Sequence, residues 1–186
     1  DPFSTGFVNQ FPQDDANNFI DIDCETVRNS YDPNDKSAVP TGLDVEHKIL
    51  PNTDLEYLIR FQNTGTDTAF TVQIFDTLSP WVDVMSLQVG ASSHDYTYEL
   101  SGEGILKFRF DNIMLPDSNA NEAASNGFIK YKIGMKTNAP VGETIFNAAD
   151  IYFDYNAPIY TNQTFHTVGK DFISVSTQEI FVSGAE

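Results

Sequence analysis

The strongest constraint on the fold is an alternation of apolar and polar residues with a period of two. It runs through residues 55–61 and 70–74, where every second side chain is apolar. Successive side chains of a strand point to opposite faces, so this pattern is typical of strands with one buried face. Residues 96–100 and 106–110 repeat it on either side of the Gly-containing segment 101–104, which predicts a hairpin. We therefore expect an all-β chain that forms an antiparallel β-sandwich.

The charge and composition of the chain exclude several classes of protein. Acidic residues number 27 against 10 basic ones, which gives a formal net charge of −17. Nucleic acids and anionic membranes attract clustered Lys and Arg, so neither is expected as a partner. Hydrophobic residues make up 40% of the chain, which is too much for a disordered acidic tail. No apolar run approaches the roughly 18 residues of a transmembrane helix, so membrane insertion is not expected.

The sequence divides into three segments. Residues 1–30 are polar and acidic and are interpreted as a strap or as the end of a preceding domain. Residues 31–168 form the predicted sandwich, and residues 169–186 are interpreted as an edge strand or a linker. The single cysteine, Cys24, is either apolar filling on a strand face or the partner of a cysteine on another segment. Because the chain opens on Asp1 without a signal peptide, we expect it to be a piece of a longer protein.

Catalytic signatures are mostly missing from the sequence. His47, His94 and His166 are far apart along the chain, lack the His-Glu-x-x-His zinc motif and are interpreted as surface or loop residues. Residues 90–94 begin like a nucleophile elbow, but the closing glycine is absent and no helical pattern follows. We therefore expect a chain that is not an enzyme.

Two groups of Asp and Asn in predicted loops are candidate calcium sites. Calcium binds several oxygen ligands, which short loops supply at alternate positions. The candidate ligands are Asp32, Asn34, Asp35, Asp117, Asn119, Asn121 and Glu122. The second group is not an EF-hand, because its sixth position is Glu122 rather than glycine and its twelfth is Phe128. Asp and Asn also favour ordinary turns, so the interpretation as turn residues stays open.

Carbohydrate binding is the alternative hypothesis for a site. Sugar-binding surfaces present exposed Trp or Tyr, and this chain has one Trp, Trp81, beside Pro80. Tyr152, Tyr155 and Tyr160 lie around the segment Asn156-Ala157-Pro158. In a sandwich of this composition, aromatic residues more often pack in the core or anchor loops. An exposed aromatic row would favour a carbohydrate-binding module.

Several motifs are spread in order along the chain. They are Asp32-Pro33-Asn34-Asp35-Lys36, residues 51–57, Asn63-Thr64-Gly65, Asp76-Thr77-Leu78, Leu115-Pro116-Asp117-Ser118 with Asn121-Glu122, and residues 151–162. Together they resemble the conserved repeat domain of large secreted and cell-surface proteins of Bacteroidetes. The resemblance covers residues 31–168. It implies that the sandwich is immunoglobulin-like.

The resemblance also implies a setting and a role. The repeat domain is a non-catalytic structural or adhesion module, secreted or on the cell surface, and usually precedes a sorting domain of the type IX secretion system. The implied partners are neighbouring domains of the same polypeptide and surface glycans or other cell-surface proteins. Asp67-Thr68-Ala69 and Asp76-Thr77-Leu78 also resemble the short O-glycosylation motif of these bacteria. In this setting, we expect calcium to rigidify the loops and the junctions between domains.

Overall fold

A computed structural model of the chain describes residues 32–102 and 104–170. This part of the chain contains twelve strands and no helix. The strands are β1 (Asp35–Val39), β2 (Lys48–Ile49), β3 (Asp54–Gln62), β4 (Ala69–Thr77), β5 (Val82–Ser92), β6 (Thr97–Ser101), β7 (Ile105–Leu115), β8 (Asn126–Met135), β9 (Thr144–Asn147), β10 (Ala149–Phe153), β11 (Ile159–Tyr160) and β12 (Thr164–Val168). The predicted segment 1–30 with Cys24 and residues 171–186 lie outside the described residues, so the predicted domain limits stay a prediction.

The strands form two large antiparallel sheets and a small third sheet. One large sheet has the order β1-β3-β8-β5, and the other has the order β11-β10-β4-β7-β6. The small sheet, β2-β12-β9, contains a parallel pair, β2 with β12, which the predicted antiparallel pattern did not include. The architecture is the expected all-β, immunoglobulin-like antiparallel sandwich.

The alternation in the sequence determines which face of each strand is buried. On β3, Leu55, Tyr57, Ile59 and Phe61 all point into the core, as the period of two predicts. The ring of Phe61 lies 5.3 Å from that of Phe110 on the opposite sheet, measured between centroids. Such aromatic pairs fill the space between two stacked sheets. The predicted hairpin is also confirmed, because β6 pairs with β7 in antiparallel register.

One glycine is required by the packing of this core. Gly127 on β8 lies directly opposite Phe61 on β3. A Cβ atom at Gly127 would lie 2.3 Å from the Cε2 and Cζ atoms of the Phe61 ring. The Phe61 ring therefore occupies the space that any other side chain at this position would need.

Candidate functional site

Four polar side chains meet inside the sandwich, on strands that are distant in sequence. They are Lys36 on β1, Asp76 on β4, Tyr131 on β8 and Asn147 on β9. None of these residues is more than 3% exposed. We call these four residues the buried polar cluster. A charged group in an apolar core is costly unless it is paired and hydrogen-bonded, so the contacts of the cluster decide its role.

The ammonium group of Lys36 is the centre of the buried polar cluster. It donates to Asp76 Oδ2, to Asn147 Oδ1 at 2.5 Å and to the Tyr131 hydroxyl at 3.2 Å. Its three hydrogens therefore match three acceptors. The Tyr131 hydroxyl in turn donates to Asp76 Oδ2 at 2.6 Å and accepts from Asn147 Nδ2 at 3.0 Å. Among the described residues, the second carboxyl oxygen, Asp76 Oδ1, has no hydrogen-bond partner although it is buried.

Burial changes the proton affinity of two groups in the cluster. Loss of solvent lowers the pKa of Lys36, because the charged ammonium is poorly solvated in the core, while the negative charge of Asp76 and its hydrogen bond oppose this effect. Burial also raises the pKa of Tyr131 well above its usual value, and the nearby charge of Asp76 raises it further. The Tyr131 phenol is thus held neutral. The Lys36 ammonium loses its proton more easily than an exposed lysine does.

The backbone of Lys36 is fixed by a side chain from a distant segment. Asn162 Oδ1 accepts a hydrogen bond from the Lys36 amide at 2.9 Å, and Asn162 Nδ2 donates to the Lys36 carbonyl at 2.8 Å. The Nζ atom of Lys36 lies 4.8 Å from the centroid of the Tyr57 ring, within the range of a cation–π contact. These contacts orient the amine toward Asp76 and Asn147, so the cluster holds an amine, a carboxyl group and a primary amide together away from solvent.

The first predicted calcium group takes part in hydrogen bonds around the start of β1. The carboxylate of Asp35 is buried and receives both Arg60 Nε at 2.6 Å and Arg60 Nη2 at 2.7 Å. Asn34 Oδ1 accepts from the amide of Gln62 at 3.1 Å, and Asp32 Oδ1 accepts from the amide of Asn34 at 2.9 Å. The side-chain oxygens of Asp35 and Asn34 therefore attach the start of β1 to β3.

The second predicted group lies in an exposed turn between β7 and β8. Asp117 Oδ1 accepts from the amides of Asn119 and Ala120, both at 3.0 Å, and Asn121 Oδ1 accepts from the amide of Ala124 at 3.1 Å. Glu122 is exposed in the same turn. In residues 32–102 and 104–170, no three His, Cys, Asp or Glu side chains are grouped to hold a metal ion. Calcium binding at either group stays a prediction.

The aromatic candidates for carbohydrate binding differ in exposure. Trp81 is partly buried against the core, whereas the side chain of Tyr155 is fully exposed. Tyr155 adjoins a groove on the outer face of the β4-containing sheet. The groove is lined by Phe70, Thr71, Gln73, Arg109, Asp154 and Tyr155. Asp154 shapes one end of it, because its carboxylate accepts hydrogen bonds from the amides of Phe70 and Thr71.

The interpretation of the three histidines as surface or loop residues is wrong for His166. This residue lies on β12 and is 2% exposed. Its Nε2 atom lies 2.9 Å from the carbonyl oxygen of Pro40 and donates to it, while Nδ1 is buried without a partner in the described part of the chain. Burial lowers the pKa of His166. His166 shares the inner face of β12 with the buried Val168, which the structure shows and the short sequence Thr-Phe-His-Thr-Val does not reveal.

Comparison with known proteins places the domain in a family. The sequence profile described as "Domain of unknown function (DUF7619)" matches residues 32–167. The chain belongs to the DUF7619 family. No curated protein matches the sequence of this DUF7619 member. Among the described residues, no helix is long and apolar enough to cross a membrane.

Two solved structures share the fold of this DUF7619 domain. The N-terminal domain of the Streptococcus gordonii adhesin Sgo0707 matches with a TM-score of 0.53 and 18% identity, over 74% of this chain and 33% of that chain. BcpA, the major pilin subunit of Bacillus cereus, matches with a TM-score of 0.50 and 15% identity, over 72% of this chain and 39% of that chain. The chain therefore spans well under half the length of either matched chain, and the likeness is one of fold.

The buried polar cluster was not predicted from the sequence, although its signals were present. Asp76 continues the inward-facing positions of Val72 and Ile74 on β4, where an apolar residue is expected. Lys36 and Asn147 likewise occupy inward positions on their strands. A polar residue in an apolar stripe requires a partner. Lys36, Asp76 and Asn147 are such exceptions, so three of the four members carry a signal in the sequence.

Proposed function

We propose that this DUF7619 domain is a non-catalytic structural and adhesion module of a bacterial surface or secreted protein. The observation that carries the proposal is the position of the buried polar cluster. Lys36 lies on β1, which is the first strand among the described residues and an edge strand of its sheet as described. Its side chain joins β1 to β4, β8 and β9 across the core.

This arrangement suits a domain that is pulled by the segments on either side of it. Tension from the preceding segment acts on β1, which has one strand partner in its sheet and is held on its other side by the Asn162 side chain. Separation of β1 from β3 would expose the Lys36 ammonium and leave the Asp76 carboxylate buried without its cation. Leaving a buried charge unpaired costs about 3–5 kcal/mol, so the cluster resists this opening. The nearest partners of the module are then the neighbouring domains of the same polypeptide.

The likeness in fold to an adhesin domain and to a pilin subunit supports the same proposal. Both proteins are named for roles at the bacterial surface, and this chain has their sandwich architecture. Export by the type IX system and stabilisation by calcium are finer proposals, supported by the motif resemblance and by the Asp- and Asn-rich loops.

Location and adhesion are tested in the parent protein. An antibody against residues 32–170 should label intact cells of the producing bacterium or its secreted fraction, with an antibody against a cytoplasmic protein as the control. An in-frame deletion of the domain should lower attachment to surfaces while the remaining domains are still exported. Labelling only after cell lysis would contradict the proposed location. Undiminished attachment would contradict the adhesive role.

A specific observation also favours carbohydrate binding as a second candidate. Tyr155 is fully exposed beside Phe70, which is 53% exposed, and Arg109 lines the same groove. Exposed rings stack on sugars, and a guanidinium group donates hydrogen bonds to hydroxyl or acidic groups. A glycan array should then show binding that Tyr155→Ala removes and that Tyr160→Ala, at another exposed tyrosine, retains. An array without binding to the intact domain would reject this function.

A further inference from the structure

We propose that Lys36 and Asn147 join through an amide bond between their side chains, formed by the folded domain itself with Asp76 as the proton carrier. The Lys36 amine replaces the amide nitrogen of Asn147, and ammonia is released. This inference does not depend on the proposed location or adhesive role, because it concerns the chemistry of the buried polar cluster alone.

The distance between the reacting groups is short. Lys36 Nζ lies 2.5 Å from Asn147 Oδ1. Since a carbonyl bond is about 1.23 Å long, the Cγ atom of Asn147 lies within about 3.7 Å of the amine. Reacting atoms held at about 3–3.5 Å need little further movement. Asn162 fixes the backbone of Lys36 from the other side, so the amine is positioned before reaction.

The cluster also supplies the proton transfers that amide exchange requires. Lys36 first passes one proton to Asp76 Oδ2, which it contacts directly, and becomes a neutral nucleophilic amine. Burial favours this step because it lowers the pKa of Lys36. The amine lone pair then attacks Asn147 Cγ, and the electron pair of the carbonyl bond moves to Oδ1.

Collapse of this intermediate breaks the bond between Asn147 Cγ and Nδ2. The Lys36 Nζ atom gives up one proton, and the Asn147 Nδ2 atom takes up one. The Nδ2 group then leaves as ammonia. Asp76 carries the proton, and the Tyr131 hydroxyl links the two groups because it contacts both Asp76 Oδ2 and Asn147 Nδ2. The atoms balance: an amine and a primary amide give a secondary amide and ammonia. The reaction needs no oxidant and no co-reactant.

Asn147 is a better acyl donor than Asp76 in this geometry. Asp76 Oδ2 accepts from both Lys36 and Tyr131, which is the environment of a proton acceptor. A carboxylate resists attack by an amine, and its acyl transfer would release water instead of ammonia. Asp76 Oδ1 remains available for a proton, because it is buried and has no partner in the described part of the chain. The shielding of the cluster from water also protects the product from hydrolysis.

The bond would close a loop between two residues that are 111 positions apart. A cross-link of this kind restricts the unfolded chain, as a disulfide does, and it resists reducing agents. It would covalently fix the edge strand β1 to β9.

The test is the mass of the purified 186-residue chain after denaturation. Formation of the bond lowers the intact mass by about 17 Da, the mass of ammonia. Peptide mapping should then recover one branched peptide that contains both Lys36 and Asn147. Lys36→Met, Asn147→Ala and Asp76→Asn should each restore the full mass. Lys130→Met, at an exposed lysine that pairs with Glu56, should keep the loss.

The wild-type peptide map decides the question even if a variant fails to fold. An unchanged mass in folded wild-type protein overturns the proposal. A loss of about 18 Da with a peptide joining Lys36 to Asp76 overturns the choice of Asn147. Loss of ammonia within a single unbranched peptide indicates cyclisation of an asparagine and also overturns the proposal. If folded Asp76→Asn protein still shows the mass loss of ammonia, Asp76 is not the proton carrier and the proposed role of Asp76 is rejected.

Discussion

Asn63 holds together the loop that links β3 to β4, and replacing it tests how much the Asn63-Thr64-Gly65 motif contributes to stability. The residue is 5% exposed. Its Nδ2 atom donates to the carbonyl oxygens of Asp67 at 2.8 Å and Leu115 at 2.9 Å. Its Oδ1 atom accepts from the amide of Gly65 at 3.1 Å. One side chain thus satisfies three backbone groups on two segments.

The expected effect of Asn63→Ala follows from these three hydrogen bonds. Asp67 and Gly65 are exposed, so water replaces the lost bonds there at a cost of about 0.5–1 kcal/mol each. Leu115 is completely buried, and its unsatisfied carbonyl costs about 1–3 kcal/mol. The sum is about 3 kcal/mol, which corresponds to a decrease in Tm of about 10 °C for a domain of this size.

Urea unfolding followed by tryptophan fluorescence, with thermal melts in parallel, measures this loss. Asn63→Asp keeps the oxygen that accepts from Gly65 but turns a carboxylate oxygen toward the two carbonyls, so it should destabilise the domain at least as much as Asn63→Ala. Thr64→Ala, at the exposed neighbouring position, should change the free energy of unfolding by less than about 0.5 kcal/mol. The reasoning is refuted if Asn63→Ala matches Thr64→Ala, or if Asn63→Asp is the milder of the two substitutions.

Three further outcomes are expected. Calcium at millimolar concentration should raise the Tm relative to EDTA, and equal midpoints would contradict binding at the Asp- and Asn-rich loops. The pKa of His166 is lowered from 6.5 in the folded state, so the unfolded chain takes up the proton first and stability should fall as the pH drops through 6.5. In thermal melts against pH, His166→Gln should flatten this dependence, whereas an unaltered slope in His166→Gln would assign it to other groups. Gly127→Ala should cost about 1–3 kcal/mol by overpacking against Phe61, measured by urea unfolding, and a neutral result would show that the ring moves aside freely.

The fold could be predicted from the sequence because the residues that alternate as apolar along each strand are the ones that the core buries. The inward residues of β3 follow the period of two without exception, and the β6–β7 hairpin carries its glycines in the predicted loop. The parallel pairing of β2 with β12 could not be predicted, because β2 is only two residues long and has no readable period. Its partner is chosen by tertiary contacts.

The site was less predictable than the fold for a physical reason. Lys36, Asp76, Tyr131 and Asn147 are brought together only by the stacking of two sheets, which no spacing in one sequence reveals. The Asp- and Asn-rich loops could be predicted as candidate sites, because their members are close together in the sequence. Sequence proximity therefore favoured the loop candidates, whereas the convergence of buried polar side chains depends on the completed core.

The chain order of the buried polar cluster has a consequence for synthesis. Lys36 is the first of the four residues to be synthesised, and Asn147 is the last. Until β9 has formed, the Lys36 ammonium lacks one of its three acceptors. A copy that stops short of residue 147 never completes the cluster. The core thus distinguishes complete from incomplete copies of the domain.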